Sequence, residues 1–314
     1  LGGGTGLSTL LRGLKSFTRN IAAIVTVTDE GGSSGRLREE WGVLPPGDVR
    51  NCIVALAEND NSLKRLLEFR FDKGELAGHN LGNLMLLATS EQLGDFRRAV
   101  EEMNNLLAIR GRVLPVTTEA VALVAELPGG EVIRGELAIS EHGRLIRKIW
   151  LEPGDARPPA DVLRAIDEAE IIVLGPGSLF TSVIPNLLIP RVADRIRKSP
   201  VPRIYICNLM TQPGETDGFS LADHVRWIAS ALDLPPDYVI ANSGEIPPEI
   251  VEKYRKEGAA PLRACDRDIE ELDEMGCVLI EENLVRVING SLIRHDEQAL
   301  SHMLIRLWRE LREG

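Results

Sequence analysis

Two aspartates, Asp29 and Asp48, are the residues whose surroundings best suit chemistry. Asp29 opens the loop 29–36 (DEGGSSGR) directly after an apolar run, and Asp48 follows the proline-rich segment 44–47 (LPPG). A carboxylate in such a loop can bind a sugar hydroxyl or a hydrated cation, and Mg²⁺ typically uses one or two carboxylates with water and phosphate oxygens. The pair therefore indicates a Mg²⁺ site, with Asp29 and Asp48 as catalytic residues if the protein is an enzyme. Asp48 is equally well placed to cap a helix.

The chain begins with a glycine-rich segment, residues 2–8 (GGGTGLS), which leads into a helical pattern of leucines. A glycine loop at a helix N-terminus presents free N–H groups and the positive end of the helix dipole, so it suits phosphate or pyrophosphate. The alternative is a tight strand-to-helix turn without a ligand. Such a loop normally follows a strand, so we expect a strand before Leu1. The candidate binding residues of this segment are Gly3, Gly4, Thr5, Gly6 and Ser8.

Several familiar catalytic and nucleotide-binding motifs are absent from the sequence. The segment 2–8 has no Gly-Lys-Ser/Thr ending and misses the G-x-G-x-x-G spacing, so it is neither a P-loop nor a dinucleotide fingerprint. No H-E-x-x-H motif or Cys/His cluster occurs elsewhere. A nucleotide ligand would therefore be bound by a different set of loops.

Further loops after predicted strands carry glycine, hydroxyl and amide groups. Ligands of open α/β sheets bind at the carboxyl ends of the strands, so we expect these loops to meet at one nucleotide-sized site. A flexible surface loop is the alternative for residues 29–36. From that loop and from the helix start after Asp48, the candidate binding residues are Gly32, Ser33, Ser34, Arg36 and Asn51. From the segments 78–84, 175–182 and 208–216, they are His79, Asn80, Asn83, Gly175, Gly177, Ser178, Thr181, Asn208 and Thr211.

Apolar, β-branched runs alternate with amphipathic helical patterns along most of the chain. This alternation predicts an α/β fold with a doubly wound, mostly parallel sheet. Short strands and turn signals predict an antiparallel β insertion at about 112–152. We expect a single domain, 1–314, with a C-terminal α/β extension at about 243–314.

Composition narrows the classes of protein to consider. Hydrophobic residues make up 44% of the chain and charged residues 26%, as in a soluble globular protein, and no apolar run is long enough to span a membrane. The four cysteines are scattered without a C-x-x-C pair, which suits a reducing cytoplasm. A net charge of -11 argues against nucleic-acid binding. We expect a cytoplasmic location, no membrane insertion and a homo-oligomer, namely a dimer.

Taken together, the motifs resemble the bacterial gluconeogenesis-factor (YvcK-like) family. The resemblance extends from residue 2 to about residue 300 and is carried by GGGTGLS, TDEGGSSGRLR, PPGDVRN, GHNLGNL, GPGSLFTSVIPNLL, CNLMTQPGET and IRHD. This family is similar to 2-phospho-L-lactate transferase and shares its CofD-like fold. The resemblance implies a Rossmann-like domain, binding of a UDP-sugar such as UDP-N-acetylglucosamine, and a role in cell shape and cell-wall precursor control during growth on gluconeogenic carbon sources.

The resemblance also implies roles for individual residues. Arg294, in the segment 293–296 (IRHD), matches a family position associated with the sugar nucleotide; a surface arginine in a hairpin is the alternative. The transferases bind a guanosine-diphosphate-linked substrate with Mg²⁺, and their acidic positions correspond to Asp29 and Asp48. A regulatory UDP-sugar-binding protein and a Mg²⁺-dependent phospho-group transferase are therefore the two main hypotheses. An NAD(P) oxidoreductase rests on fold class alone and lacks the fingerprint.

Overall fold

The structure, a computed structural model, describes residues 1–58, 62–142 and 145–313. It has the predicted α/β architecture, with parallel strands joined by helices. The strands are β1 (Ala22–Val25), β2 (Arg112–Pro115), β3 (Ala122–Glu126), β4 (Val132–Arg134), β5 (Lys148–Glu152), β6 (Ile172–Leu174), β7 (Arg203–Ile206), β8 (Tyr238–Asn242), β9 (Val278–Glu282), β10 (Val285–Ile288) and β11 (Leu292–His295).

Helices connect most of these strands, and one π-helical segment, Leu179–Val183, follows β6. Among the described residues, no helix combines the length and the hydropathy needed to cross a bilayer. The α-helices are α1 (Gly4–Leu14), α2 (Gly32–Trp41), α3 (Gly47–Leu56), α4 (Ser62–Glu68), α5 (Leu81–Leu93), α6 (Phe96–Leu106), α7 (Glu136–Glu141), α8 (Ala160–Asp167), α9 (Ile184–Leu187), α10 (Pro190–Lys198), α11 (Leu221–Leu232), α12 (Pro248–Lys256), α13 (Asp266–Glu274) and α14 (Glu297–Glu313).

The parallel strands form two groups that the first two residues connect. Strands β6, β7, β8 and β9 pair in that order, and β1 pairs with β2. The Gly2 N–H donates to the Ile24 carbonyl at 3.1 Å, and the Gly175 N–H donates to the Leu1 carbonyl at 2.9 Å. An apolar cavity of about 240 Å³, lined in part by Leu1, lies between β1 and β6. The carboxyl ends of the parallel strands therefore lie along one edge.

Helices cover both faces of the β6–β9 sheet, which confirms the doubly wound prediction. Successive side chains of a strand point to opposite faces. Ile204 and Ile206 pack in the layer that contains Leu10 of α1 and the apolar residues of α14, whereas Tyr205 packs in the cluster that contains the apolar residues of α9, α10 and α11. The side chains of these three β7 residues are fully buried. Their burial on both faces explains why the strands are short, continuous apolar runs.

The antiparallel part of the fold begins later than predicted. Residues 112–115 form β2, which pairs in parallel with β1, so the antiparallel sheet starts with β3 and has the order β4-β3-β5. Strand β4 of this sheet ends at Arg134, because Gly135 has a φ of 104° and α7 starts immediately after it. At the C-terminal end, β9 joins the main sheet beside β8, and α14 packs against α1.

Candidate functional site

A cleft of about 430 Å³ lies at the carboxyl edge of the sheet. Its walls come from five places: the start of α1, the segment after β6, the loop after β7, the end of α12 with the turn after it, and the end of β11. The predicted residues that line it are Gly3, Gly4, Thr5, Gly6, Gly177, Ser178, Asn208, Thr211 and Arg294. The structure therefore brings together nine of the predicted residues from distant parts of the chain, as expected from the strand-end argument.

The glycine-rich segment forms one wall because only glycine fits there. A Cβ atom at Gly3 would lie 2.5 Å from Oδ2 of Asp48, and one at Gly6 would lie 2.6 Å from the Pro176 carbonyl oxygen. Gly4 opens α1 with a φ of 62°. The N-cap residue of α1, Gly3, supplies no side-chain cap, and the Gly4 N–H donates to Asp48, so Thr5 and Gly6 are the first-turn residues whose N–H groups are left for a ligand at the cleft. This end of α1 is suited to bind an oxyanion.

Asp29 and Asp48 lie behind this wall. The Gly31 N–H donates to Oδ1 of Asp29 at 2.9 Å, and the Gly4 N–H donates to the Asp48 carboxylate. Burial and the neighbouring charge of Asp29 raise the pKa of Asp48 to about 7. Asp48 was predicted as an N-cap or a ligand. The cap prediction is wrong, because α3 starts at Gly47 and Asp48 lies in its first turn without capping it.

The two carboxylates fit a divalent cation in their chemistry. A cation beside them would relieve their repulsion, and both offer the hard oxygen ligands that Mg²⁺ prefers. In the described part of the chain, no group of three or more His, Cys, Asp or Glu side chains is arranged to hold a metal. A metal at Asp29 and Asp48 would therefore complete its coordination with water and with oxygens of the ligand.

Other predicted residues make internal contacts near the aspartates. The Asn80 N–H donates to Oγ of Ser33 at 3.3 Å, and Oδ1 of Asn80 accepts the Asn83 N–H at 3.1 Å, which caps α5. Nε of Arg50 donates to Oδ1 of Asn83 at 3.2 Å, and the Ser33 hydroxyl lies 3.2 Å from Nδ1 of His79. These buried groups hold α2, α3 and α5 together.

The remaining predicted residues divide between the cleft margin and the scaffold. Gly32 is the first residue of α2, Ser34 accepts the Gly47 N–H at 3.0 Å, and Arg36 donates to the Ala77 carbonyl at 2.9 Å. The Thr181 hydroxyl donates to Oγ of Ser178 at 2.7 Å, and Gly175 binds the Leu1 carbonyl. Ser8 and Asn51 line a separate, smaller pocket.

Comparisons with known proteins identify the family of the chain. Residues 1–285 match the family model described as 2-phospho-L-lactate transferase CofD. The chain belongs to the CofD family. It is 46% identical to the gluconeogenesis factor of Bacillus subtilis, over 98% of this chain and 97% of that protein. It is 45% identical to the putative gluconeogenesis factor of Thermotoga maritima, over 98% of each chain. A crystal structure of a UPF0052-family protein from Bacillus halodurans superimposes with a TM-score of 0.92, at 42% identity over 97% of both chains.

The sequence reasoning missed two glutamates, the buried Glu215 and the half-buried Glu136. Oε1 of Glu215 accepts the Ser140 hydroxyl at 3.1 Å, and Oε2 accepts the Ser178 hydroxyl. Burial raises the pKa of Glu215. Burial and the charge of Asp29 also raise the pKa of Glu136, to about 7. A single glutamate in a turn has no periodic signature, although Glu215 lies inside the quoted segment 208–216.

His295 is a third residue that the sequence reasoning did not assign. Its side chain is 8% exposed, lines the cleft, and lies with Nε2 3.1 Å from the Cys207 carbonyl oxygen. Burial lowers the pKa of His295 to about 4, so the ring is neutral at physiological pH. The positive charge at this end of the cleft therefore comes from the neighbouring Arg294.

Proposed function

We propose that the protein is a regulatory factor that binds a UDP-sugar, with UDP-N-acetylglucosamine as the ligand. It would act in the cytoplasm and support cell shape and cell-wall precursor control during growth on gluconeogenic carbon sources. The observation that carries the proposal is the cleft of about 430 Å³, whose walls offer separate groups for each part of such a ligand. The names of the relatives, gluconeogenesis factors, support the cellular role.

The diphosphate fits the end of the cleft where two glycine loops meet. The uncapped start of α1 provides N–H groups, and Gly177 and Ser178 line the opposite wall. N–H groups at a helix N-terminus favour an anionic ligand. This placement needs no P-loop lysine, in agreement with the sequence.

The polar parts of a nucleotide sugar fit the other lining residues of the cleft. Asn208, Thr211 and Gln212 offer amide and hydroxyl groups to the cleft, and Arg294 offers a guanidinium group. Nη1 of Arg294 donates to the Ile293 carbonyl at 2.9 Å, which fixes the position of the side chain. An arginine in this position can donate two parallel hydrogen bonds to a phosphate or carboxylate.

Titration calorimetry with UDP-N-acetylglucosamine tests the proposal. We expect saturable binding to the unaltered protein and at least about tenfold weaker binding to Arg294→Ala, because a charge-assisted hydrogen bond is lost. Arg306→Ala is the control, since Arg306 lies on α14 and pairs with Glu282 at 3.0 Å, outside the cleft. Absence of heat at millimolar ligand, or equal affinity of both variants, would contradict the proposal.

A second candidate function, Mg²⁺-dependent transfer of a phospho group from a nucleotide diphosphate, is favoured by Asp29 and Asp48. Mg²⁺ held by these carboxylates would neutralise charge on the phosphate oxygens of such a substrate. A screen of diphosphate-linked substrates with Mg²⁺ should then show turnover that disappears in Asp48→Asn. If no substrate reacts, and Asp48→Asn still functions in cells, the transferase function is contradicted and the regulatory function is favoured.

A further inference from the structure

A second pocket, of about 220 Å³, lies next to the cleft and is rich in arginine. Arg294 and His295, together with Thr5, line both the pocket and the cleft. On the far side of Arg294 and His295, Arg12 of α1 and Arg286 of β10 also line the pocket. Three guanidinium groups from separate elements therefore converge on one small cavity. We call it the arginine pocket.

The arginine pocket contains more positive than negative charge. Among the described residues, Glu297 is the single acidic one that lines the pocket, and arginines contact both of its carboxylate oxygens. Oε2 lies 3.2 Å from Nε of Arg12, and Oε1 lies 3.9 Å from Nη1 of Arg286. With His295 neutral, three arginines and one glutamate leave a formal charge of +2. The pocket therefore differs from a surface ion-pair network in which positive and negative charges are equal in number. Its lining is positive, whereas the whole chain has a net charge of -11.

The other lining groups suit a small oxyanion. Ser8, Thr9 and Asn51 supply hydroxyl and amide groups, and Ile288 is the one aliphatic branched side chain that lines the pocket. Nη2 of Arg12 donates to Oγ1 of Thr9 at 2.9 Å, which anchors that guanidinium at the wall. Arginine forks with adjacent hydroxyl donors are the groups that proteins use to bind phosphoryl oxygens.

We propose that the arginine pocket binds a phosphate monoester that is separate from the nucleotide sugar. The site goes beyond the proposed function, because Arg12 and Arg286 do not line the cleft. A phosphate monoester carries close to two negative charges at neutral pH, which matches the surplus of +2. Its binding would place a second anion beside the cleft, with Arg294 and His295 between the two ligands.

Inorganic phosphate is the probe, and its affinity is measured by ³¹P line broadening. We expect saturable binding to the unaltered protein and about tenfold weaker binding to Arg286→Gln. Arg306→Gln is the matched control. Arg286 and Arg306 are both exposed and each pairs with its own glutamate, but Arg306 lies outside the pocket. Equal phosphate affinity for the two variants would overturn the proposal.

A second pair of variants tests the sign of the charge effect. Glu297→Gln should bind phosphate about fivefold more tightly, because it removes the negative charge from the pocket and releases both arginines. Glu310→Gln changes the net charge equally, lies in the same helix and is exposed, so it should leave the affinity unchanged. If Glu297→Gln binds phosphate more weakly, or if Glu310→Gln has the same effect, the site is not in this pocket.

The source of the phosphoryl group is tested by adding UDP-N-acetylglucosamine. If the pocket holds a separate phosphate, the nucleotide sugar leaves phosphate broadening in place, and Arg286→Gln binds the nucleotide sugar normally. If the pocket holds a phosphate of the nucleotide sugar itself, that ligand displaces inorganic phosphate, and Arg286→Gln weakens the binding of both ligands. This outcome would overturn the proposal of a separate phosphate site. Failure of UDP-N-acetylglucosamine to bind at all would contradict only the proposed function, because the phosphate measurements do not depend on it.

Discussion

Asp48 lies in the first turn of α3, where its carboxylate faces the start of α1 and the carboxylate of Asp29. Burial and the charge of Asp29 raise the pKa of Asp48, whereas the hydrogen bond from the Gly4 N–H and the charge of Arg50 lower it. The net result raises the pKa of Asp48 from 3.8 to about 7. Ionised Asp48 therefore costs more free energy in the folded chain than in the unfolded chain. Such a cost is typical of sites whose charge serves a ligand.

Asp48→Asn should increase stability at alkaline pH. Because the pKa of Asp48 is raised on folding, stability falls as the pH rises from 3.8 through about 7, and the full penalty applies above that range. We expect Asp48→Asn to raise the free energy of unfolding by about 1 to 3 kcal/mol at pH 8 and hardly at all at pH 4. Urea denaturation at the two pH values measures this difference. Asp155→Asn, at an exposed loop position, should change stability by less than about 0.5 kcal/mol at either pH. An equal effect of Asp48→Asn at both pH values would contradict the assignment.

Helix α1 is the element on which both cavities depend, and its contact with α14 is unusually close. Gly13 faces α14, and a Cβ atom there would clash with the Glu297 carbonyl oxygen and the Ser301 hydroxyl. Gly13 is not in the left-handed region, so the requirement is steric. Glu297 lines the arginine pocket, and Arg12, one residue before Gly13, binds its side chain. The packing of α1 on α14 thus sets the shape of the pocket.

Gly13→Ala should destabilise the protein although alanine favours helices. In an exposed helix, this substitution would stabilise by about 1 kcal/mol. Here we expect a loss of about 1 to 3 kcal/mol, because α14 must move away from α1. Gly129→Ala is the control, since no atom lies within 4 Å of a Cβ at that position. Thermal unfolding of both variants provides the measurement, and a gain in stability for Gly13→Ala would refute the steric argument.

The elements themselves were largely predictable, and their exact ends were not. The spacing of Leu7, Leu10 and Leu11 predicted α1, and the three side chains are buried. The start of α3 was misplaced because Asp48 has the chemistry of a cap, whereas tertiary contacts with Gly4 decide its position. The assignment of residues 112–115 to the antiparallel insertion failed for a similar reason. A short apolar strand does not reveal its partner, and β2 pairs with β1.

At the scale of the whole molecule, the cleft draws on both groups of parallel strands. The loop 3–6 connects to β1 through the Gly2 pairing, whereas residues 177–178 and 208–213 follow β6 and β7. Strand order explains why sequence reasoning found these loops, since carboxyl ends of parallel strands meet. The arginine pocket could not be predicted in this way. Arg12 and Arg286 come from a helix and from a hairpin strand outside that edge, and no local pattern links them.

A ligand in the cleft should therefore protect both groups of strands together. With UDP-N-acetylglucosamine at about 100 times its Kd, binding adds up to about 2.7 kcal/mol to the stability of the folded state. We expect amide hydrogen exchange to slow at 3–8 and also at 177–182 and 208–213. The turn 127–131, which joins β3 to β4 and does not line the cleft, should exchange at an unchanged rate. Arg294→Ala should reduce the protection in all three segments at the same ligand concentration, because tenfold weaker binding leaves the ligand at about 10 times its Kd and lowers the added stability to about 1.4 kcal/mol. Protection confined to one segment would mean that the ligand occupies only one wall, and the cleft would then not act as a single site.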